Sequence, residues 1–216
     1  MNTNGRLRGL YPVTDASLTG DSNLVAQVAQ ALRGGAQMVQ YRDKTHAPQA
    51  RMEQAGELLK LCRAVGIPLI INDDLELAER LGADGVHLGR DDPDPLLARR
   101  TLGPRAIVAV SCYDSLQRAV EAEQAGADYV AFGRFFASSS KPQAVQATPG
   151  LLRQARSRLA LPIVAIGGIT PENGASLVAA GADMLAVIHG VFGQPDIRLA
   201  CERFTRLFET SEVTPP

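Results

Sequence analysis

Six polar clusters in this chain each follow a short apolar run: Gln40/Arg42/Lys44, Asn72/Asp73, Asp91/Asp92, Ser111, Ser138/Ser139/Ser140/Lys141 and Gly167/Gly168. In extended backbone Gln40, Arg42 and Lys44 point to one side, because side chains alternate. A guanidinium fork beside an ammonium point charge suits a pyrophosphate; a solvated charged loop is the plain alternative. Asn72/Asp73 and Asp91/Asp92 bring carboxylates to two successive run ends. Carboxylates from neighbouring strand ends can share one Mg²⁺, with water and phosphate oxygens filling its octahedron. Against that reading stands helix capping, by Asp74 for one helix and by Asp91 or Asp92 for a helix starting near Pro93. The serines and Lys141 offer hydroxyls, loop amides and a cation to phosphate oxygens, or form only a serine-rich loop. Gly167 and Gly168 let a phosphate approach the backbone. His189, carried on the eighth run, would face the same seat. His87 lies inside an apolar run and reads as a packed, hydrogen-bonded structural histidine. Neither His46 nor His87 has a triad-like context.

These clusters need elements that bring them to one place. β-rich runs at 9–14, 38–41, 68–72, 85–88, 107–111, 129–133, 163–166 and 185–188 alternate with amphipathic patterns at 24–33, 49–65, 75–81, 95–102, 115–125, 150–159, 172–180 and 197–209. The runs are nearly continuously apolar, as parallel strands buried on both faces require. Eight strand–helix units in about 200 residues predict a single-domain (β/α)₈ TIM barrel over residues 1–210. A doubly wound open sheet shares the alternation, but no GxGxxG sits at the first strand–helix turn. Gly34-Gly35-Ala36, Gly82-Ala83-Asp84, Gly126-Ala127-Asp128 and Gly181-Ala182-Asp183 each precede a strand and read as structural helix stops on the N-terminal face. Residues 211–216, ending in two prolines, are expected to be a disordered tail.

A net charge of −1 argues against a nucleic-acid surface or a polybasic membrane patch. No apolar run approaches the ~20 residues of a membrane span, and MNTNGRLRG has no signal-peptide core. Cys62, Cys112 and Cys201 are scattered, with no CxxC pair or histidine cluster, which disfavours zinc and suits a reducing cytoplasm. Small-molecule partners are expected, and homo-oligomerisation is left open.

The motifs QYRDK (40–44), INDD (71–74), GVHLGRDD (85–92), SSSK (138–141) and IGGI (166–169), together with Leu10–Asp15 and Val110-Ser111, resemble those of the thiamine phosphate synthase family over nearly the whole length. The resemblance implies a (β/α)₈ transferase of thiamine biosynthesis. It would join 4-amino-2-methyl-5-hydroxymethylpyrimidine pyrophosphate to hydroxyethylthiazole phosphate and release pyrophosphate. It further implies that Gln40, Tyr41, Arg42, Asp43, Lys44, Asn72, Ser111 and Lys141 hold the pyrimidine substrate, with Arg42, Lys44, Ser111 and Lys141 acting in catalysis. Asp73 and Asp92 would ligate Mg²⁺. Ser138, Ser139, Ser140, Gly168, Ile188 and His189 would hold the thiazole phosphate.

Four positions depart from the pattern of the family the chain resembles: Ser138 and Ser140 stand for threonines, Arg134 for a proline and His189 for a serine. Three rivals remain on sequence alone. They are a thiazole tautomerase lacking the complete pyrophosphate set, a sugar-phosphate barrel enzyme sharing the IGGI seat, and a non-catalytic thiamine-phosphate binding protein.

Overall fold

The computed structural model describes residues 7–20, 23–137 and 146–209. Its strands are β1 (Gly9–Pro12), β2 (Val39–Tyr41), β3 (Leu69–Asn72), β4 (Gly85–Leu88), β5 (Ile107–Tyr113), β6 (Tyr129–Gly133), β7 (Ile163–Ile166) and β8 (Met184–Val187). All pair in parallel, in the order β1-β8-β7-β6-β5-β4-β3-β2. A single bridge, Val13 to Gln40, joins β1 to β2 and closes the ring. At this seam the Thr14 amide donates to the Gln40 carbonyl at 2.9 Å and the Gln37 amide to the Leu10 carbonyl at 2.9 Å. The Thr14 side chain serves as one further rung: its hydroxyl oxygen accepts the Arg42 amide at 2.9 Å and its proton goes to the Arg42 carbonyl at 3.2 Å.

Alternation along each strand sorts side chains into two cores. Tyr11, Val13, Met38, Ile70, Ala109, Tyr129, Ala131, Val164, Met184 and Ala186 pack together inside the barrel. Their sequence neighbours, among them Leu10, Val39, Leu69, Ile71, Val86, Val108, Val130 and Leu185, pack between the strands and the helices. The helices are α1 (Ala16–Thr19), α2 (Leu24–Arg33), α3 (Pro48–Ala64), α4 (Leu75–Leu81), α5 (Pro95–Leu102), α6 (Leu116–Gln124), α7 (Pro149–Arg156), α8 (Pro171–Ala179), α9 (His189–Phe192) and α10 (Ile197–Glu209). None of them is long and apolar enough to cross a membrane.

The (β/α)₈ barrel expected from the sequence is the fold observed, with two local differences. The short helices α1 and α9 were not anticipated, because four residues carry no helical period. The eighth strand ends at Val187, so His189 opens α9 instead of ending a strand. The cap of α5 is Asp94, whose carboxylate accepts the Leu96 amide at 2.7 Å, so neither Asp91 nor Asp92 caps that helix. Asp74 does cap α4, accepting the Leu77 amide at 2.9 Å.

The Gly-Ala-Asp turns form one device used three times. Asp84, Asp128 and Asp183 accept the amides of Leu69, Val108 and Ile163 at 2.9, 2.8 and 2.7 Å. Each aspartate also pairs with an arginine, Arg63, Arg99 or Arg156, and that arginine donates to the carbonyl of the glycine in the same turn. Each turn thereby ties the start of one strand to the helix preceding that strand. The expected tail and the cluster at 138–141 lie outside the described residues.

Candidate active site

A cavity of about 430 Å³ opens at the C-terminal ends of the strands, within the range of small-molecule sites. Its floor is made by Tyr11, Val13, Ala131, Val164, Ile166 and Ala186. Its polar wall carries Gln40, Arg42, Lys44, Asn72, Asp73, Asp92 and Ser111. The alternation argument therefore places Gln40, Arg42 and Lys44 at one opening, as the sequence implied. Tyr41 and Asp43 lie between them but point elsewhere. The Tyr41 hydroxyl donates to Gln54 at 2.8 Å, in the layer between β2 and α3. Asp43 folds the following loop by accepting from the amides of Thr45 and His46 at 2.7 and 3.1 Å.

Arg42 is held by Asp15, with its Nη1 3.0 Å from the carboxylate, so the guanidinium is pre-oriented toward the cavity. Lys44 lies 3.1 Å from Asp73. Asp73 has a left-handed backbone with φ of 63°, a conformation that aspartate tolerates better than most residues, and its amide donates to the His87 carbonyl at 2.8 Å. The Asp92 carboxylate accepts the Gly89 amide at 2.6 Å. Burial raises both carboxyls. At Asp73 the hydrogen bonds from Lys44 and the Asp92 carboxyl outweigh burial and hold the group below the usual carboxylate range. At Asp92 burial, aided by the Asp73 charge, outweighs the Gly89 amide and holds it above that range. Two carboxyls that share a site and cannot both ionise freely form a seat that a divalent cation would relieve.

A second opening of about 210 Å³ adjoins the first through Ile166, Gly167, Ala186 and Ile188, which line both. It is lined by Gly168, Thr170, Ile188, His189 and Gln194. Gly168 has a φ of 63°, and a Cβ there would lie 2.3 Å from the Ala137 carbonyl oxygen. The glycine pair thus admits the 134–137 segment as well as any ligand. Ser138, Ser139, Ser140 and Lys141 follow that segment directly but lie outside the described residues.

Several residues lining the cavity or supporting it were given no role from the sequence. Tyr11 and Tyr129 sit inside the barrel and donate or accept between their hydroxyls at 2.7 Å. Arg90 lies over the Tyr113 ring, 4.9 Å from its centroid, at the cavity edge. Asp15 follows the first strand and steers Arg42. A tyrosine within an apolar run reads as core, and only the ring closure shows which tyrosines face each other.

With this geometry in place, similarity to known proteins is decisive. The family model described as thiamine monophosphate synthase matches residues 10–191. The chain belongs to the thiamine monophosphate synthase family. A thiamine-phosphate synthase of Nitrosococcus oceani is 50% identical over 210 residues, covering 97% of each chain. Another, of Thiobacillus denitrificans, is 52% identical over 200 residues, covering 93% of this chain and 94% of that one. Among solved structures, a thiamine phosphate pyrophosphorylase from Pyrococcus furiosus superposes with a TM-score of 0.85 at 34% identity, covering 97% of this chain and 98% of that one.

Proposed function

We propose that this chain acts as a thiamine phosphate synthase, joining hydroxymethylpyrimidine pyrophosphate to hydroxyethylthiazole phosphate with release of pyrophosphate. The observation that carries this reading is the single cavity in which Arg42, Lys44, Asn72, Asp73 and Asp92 meet, continuous with the Gly168/His189 opening. The first half suits a pyrophosphate and the second a phosphate monoester. A tautomerase acting on a thiazole phosphate alone would have no use for the first half.

In this reading the pyrimidine lies over the aliphatic and phenolic floor, near Gln40 and Ser111. Its pyrophosphate points to Arg42, Lys44 and Asn72, and the sequence resemblance adds Lys141 to that set. The bond between the pyrimidine methylene carbon and the pyrophosphate oxygen breaks, and its electron pair leaves with pyrophosphate. The ring amine stabilises the resulting cation, and the thiazole nitrogen lone pair forms the new C–N bond. Arg42, Lys44 and Lys141 neutralise charge growing on the leaving group, an electrostatic contribution realised in the transition state. Asp73 and Asp92 are the residues that would hold Mg²⁺, which when bound supplies further charge neutralisation to the phosphates. The two-carboxylate set fits an ion that takes its remaining ligands from substrate and water. No protein nucleophile is needed. The thiols of Cys62, Cys112 and Cys201 are unsuited to that role, since burial pushes each up to about 12.

The test is a coupling assay with both substrates, with and without Mg²⁺, following thiamine phosphate and pyrophosphate together. Equimolar, Mg²⁺-dependent appearance of both products supports the reading. Folded protein that binds both substrates without turnover would replace it with a binding protein.

A further inference from the structure

Beneath the cavity runs a continuous chain of hydrogen bonds through the middle of the barrel. The Gln40 amide nitrogen donates to the Tyr11 hydroxyl at 2.8 Å. The Tyr11 and Tyr129 hydroxyls lie 2.7 Å apart. The Tyr129 hydroxyl lies 3.1 Å from His87 Nδ1, and His87 Nε2 lies 2.8 Å from the Ser111 hydroxyl. Tyr11 and Tyr129 are 1% and 0% exposed, so their protons cannot go to bulk water. Burial also raises both phenols well above their ordinary range, which keeps them protonated.

With the Gln40 amide nitrogen as the donor, proton bookkeeping sets the direction of every other bond. Tyr11 accepts from Gln40, so its own proton goes to Tyr129. The Tyr129 proton goes to His87 Nδ1, which therefore carries a lone pair. His87 Nε2 carries the ring proton and donates it to Ser111. The Ser111 proton is left to point at a ligand. At the opposite end Gln40, having spent an N–H on Tyr11, has its carbonyl oxygen unclaimed by any described residue. Both ends line the same cavity. The reverse direction is also self-consistent, but it requires the opposite amide orientation and turns Gln40 into a donor and Ser111 into an acceptor.

We infer that Tyr11, Tyr129 and His87 are positioning residues that lock Gln40 as an acceptor and Ser111 as a donor, so that the site selects a pyrimidine carrying an amine beside a ring nitrogen. The inference rests on the pyrimidine substrate assigned above. The exocyclic amine donates to Gln40 and the ring nitrogen accepts from Ser111. A 4-oxo analogue presents the inverse edge, a carbonyl acceptor beside a ring N–H donor, and meets like with like at both ends. Because the ends are joined, neither can reverse to accommodate it without reversing the whole chain.

The experiment compares kcat/KM for the 4-amino and 4-oxo pyrimidine pyrophosphates in the wild type, Tyr129→Phe, Ser111→Ala and the double variant. It is paired with ¹⁵N-histidine NMR of the full-length protein, using His87→Gln to assign the resonance. The wild type is expected to favour the amino substrate by about a thousandfold or more, with His87 as the Nε2–H tautomer. Tyr129→Phe frees the imidazole to present either nitrogen. It should lower that preference at least about tenfold, leave the thiazole phosphate KM unchanged, and add nothing to Ser111→Ala, as residues acting through one another do. Equal losses on both pyrimidines, or an Nδ1–H tautomer in the wild type, would overturn the inference. If Tyr129→Phe does not fold, the wild-type tautomer still decides. A wild type that does not couple the amino substrate would sink the assigned reaction, while the tautomer would still report the direction of the chain.

Discussion

Arg42 shows how a charged residue becomes useful only when its direction is set. Its contact with Asp15 at 3.0 Å costs little, since both side chains are partly solvated, but it aims the guanidinium before substrate arrives. Replacing Asp15 with Asn should raise the KM for the pyrimidine pyrophosphate about tenfold, the scale of one charge-assisted hydrogen bond, while the thiazole phosphate KM stays put. Steady-state kinetics on each substrate in turn would check this. Asp43 supplies a pH signature. The loop amides of Thr45 and His46 outweigh burial and lower its carboxyl to about 2 from an ordinary 3.8. A lowered group stabilises the fold above its unfolded pKa and loses that contribution as pH falls through the folded one. The melting-temperature difference between wild type and Asp43→Asn should therefore be full above pH 4 and vanish toward pH 2. At this scale the sequence was informative where chemistry and alternation agree, as at Gln40, Arg42 and Lys44. It gave no role to Tyr11, Tyr129 and Asp15, whose partners lie 118, 118 and 27 residues away. Tyr41 and Asp43 belong to a recognisable motif, yet a motif does not distinguish side chains facing the cavity from those that fold its loop.

The strands and longer helices were legible because burial on both sides of a parallel strand leaves an unbroken apolar run, and a helix against it leaves one apolar stripe. Their observed limits lie close to the expected ones, except where an irregularity intervenes. β5 continues to Tyr113 through a register shift between Ser111 and Tyr113, which no composition signal announces. The turns at the opposite end of the barrel show a stronger regularity than their glycines suggest. Each aspartate holds a strand amide and an arginine at once. Asp128→Ala would strand the Val108 amide and take the counter-charge from Arg99, which keeps its carbonyl acceptors, a loss of about 1–3 kcal/mol for the unpaired amide. At about 2–4 °C per kcal/mol for a domain this long, calorimetry should show a clearly lowered melting temperature. Because Asp128 is on the face away from the cavity, kcat/KM for both substrates should be unchanged.

At the scale of the whole molecule the barrel gathers residues from almost every strand onto one opening, and no local stretch contains a complete site. Helix-capping readings that competed with the metal reading are settled only by this assembly. Asp94 takes the cap of α5, which leaves Asp92 beside Asp73. If those two carboxyls hold the cation, chelation should abolish coupling and Mg²⁺ should restore it, with the melting temperature rising on Mg²⁺ addition by ordinary ligand linkage.

Thr14 has one more consequence. Where β1 meets β2 the ring is joined by few main-chain bonds, and a threonine hydroxyl stands in for one of them. Gln40 within that joint and Arg42 just beyond it are among the residues assigned to the pyrimidine pyrophosphate. A substrate gripping them would act as a hoop around a barrel whose loosest stave lies directly beneath it. The empty protein should breathe there, and the amides of Thr14 and Arg42 should exchange with deuterium several-fold more slowly once the pyrimidine pyrophosphate is bound, while those of β5 and β6 keep their pace. Exchange that slows uniformly around the ring, or not at all, would mean that the joint is as tight as its neighbours.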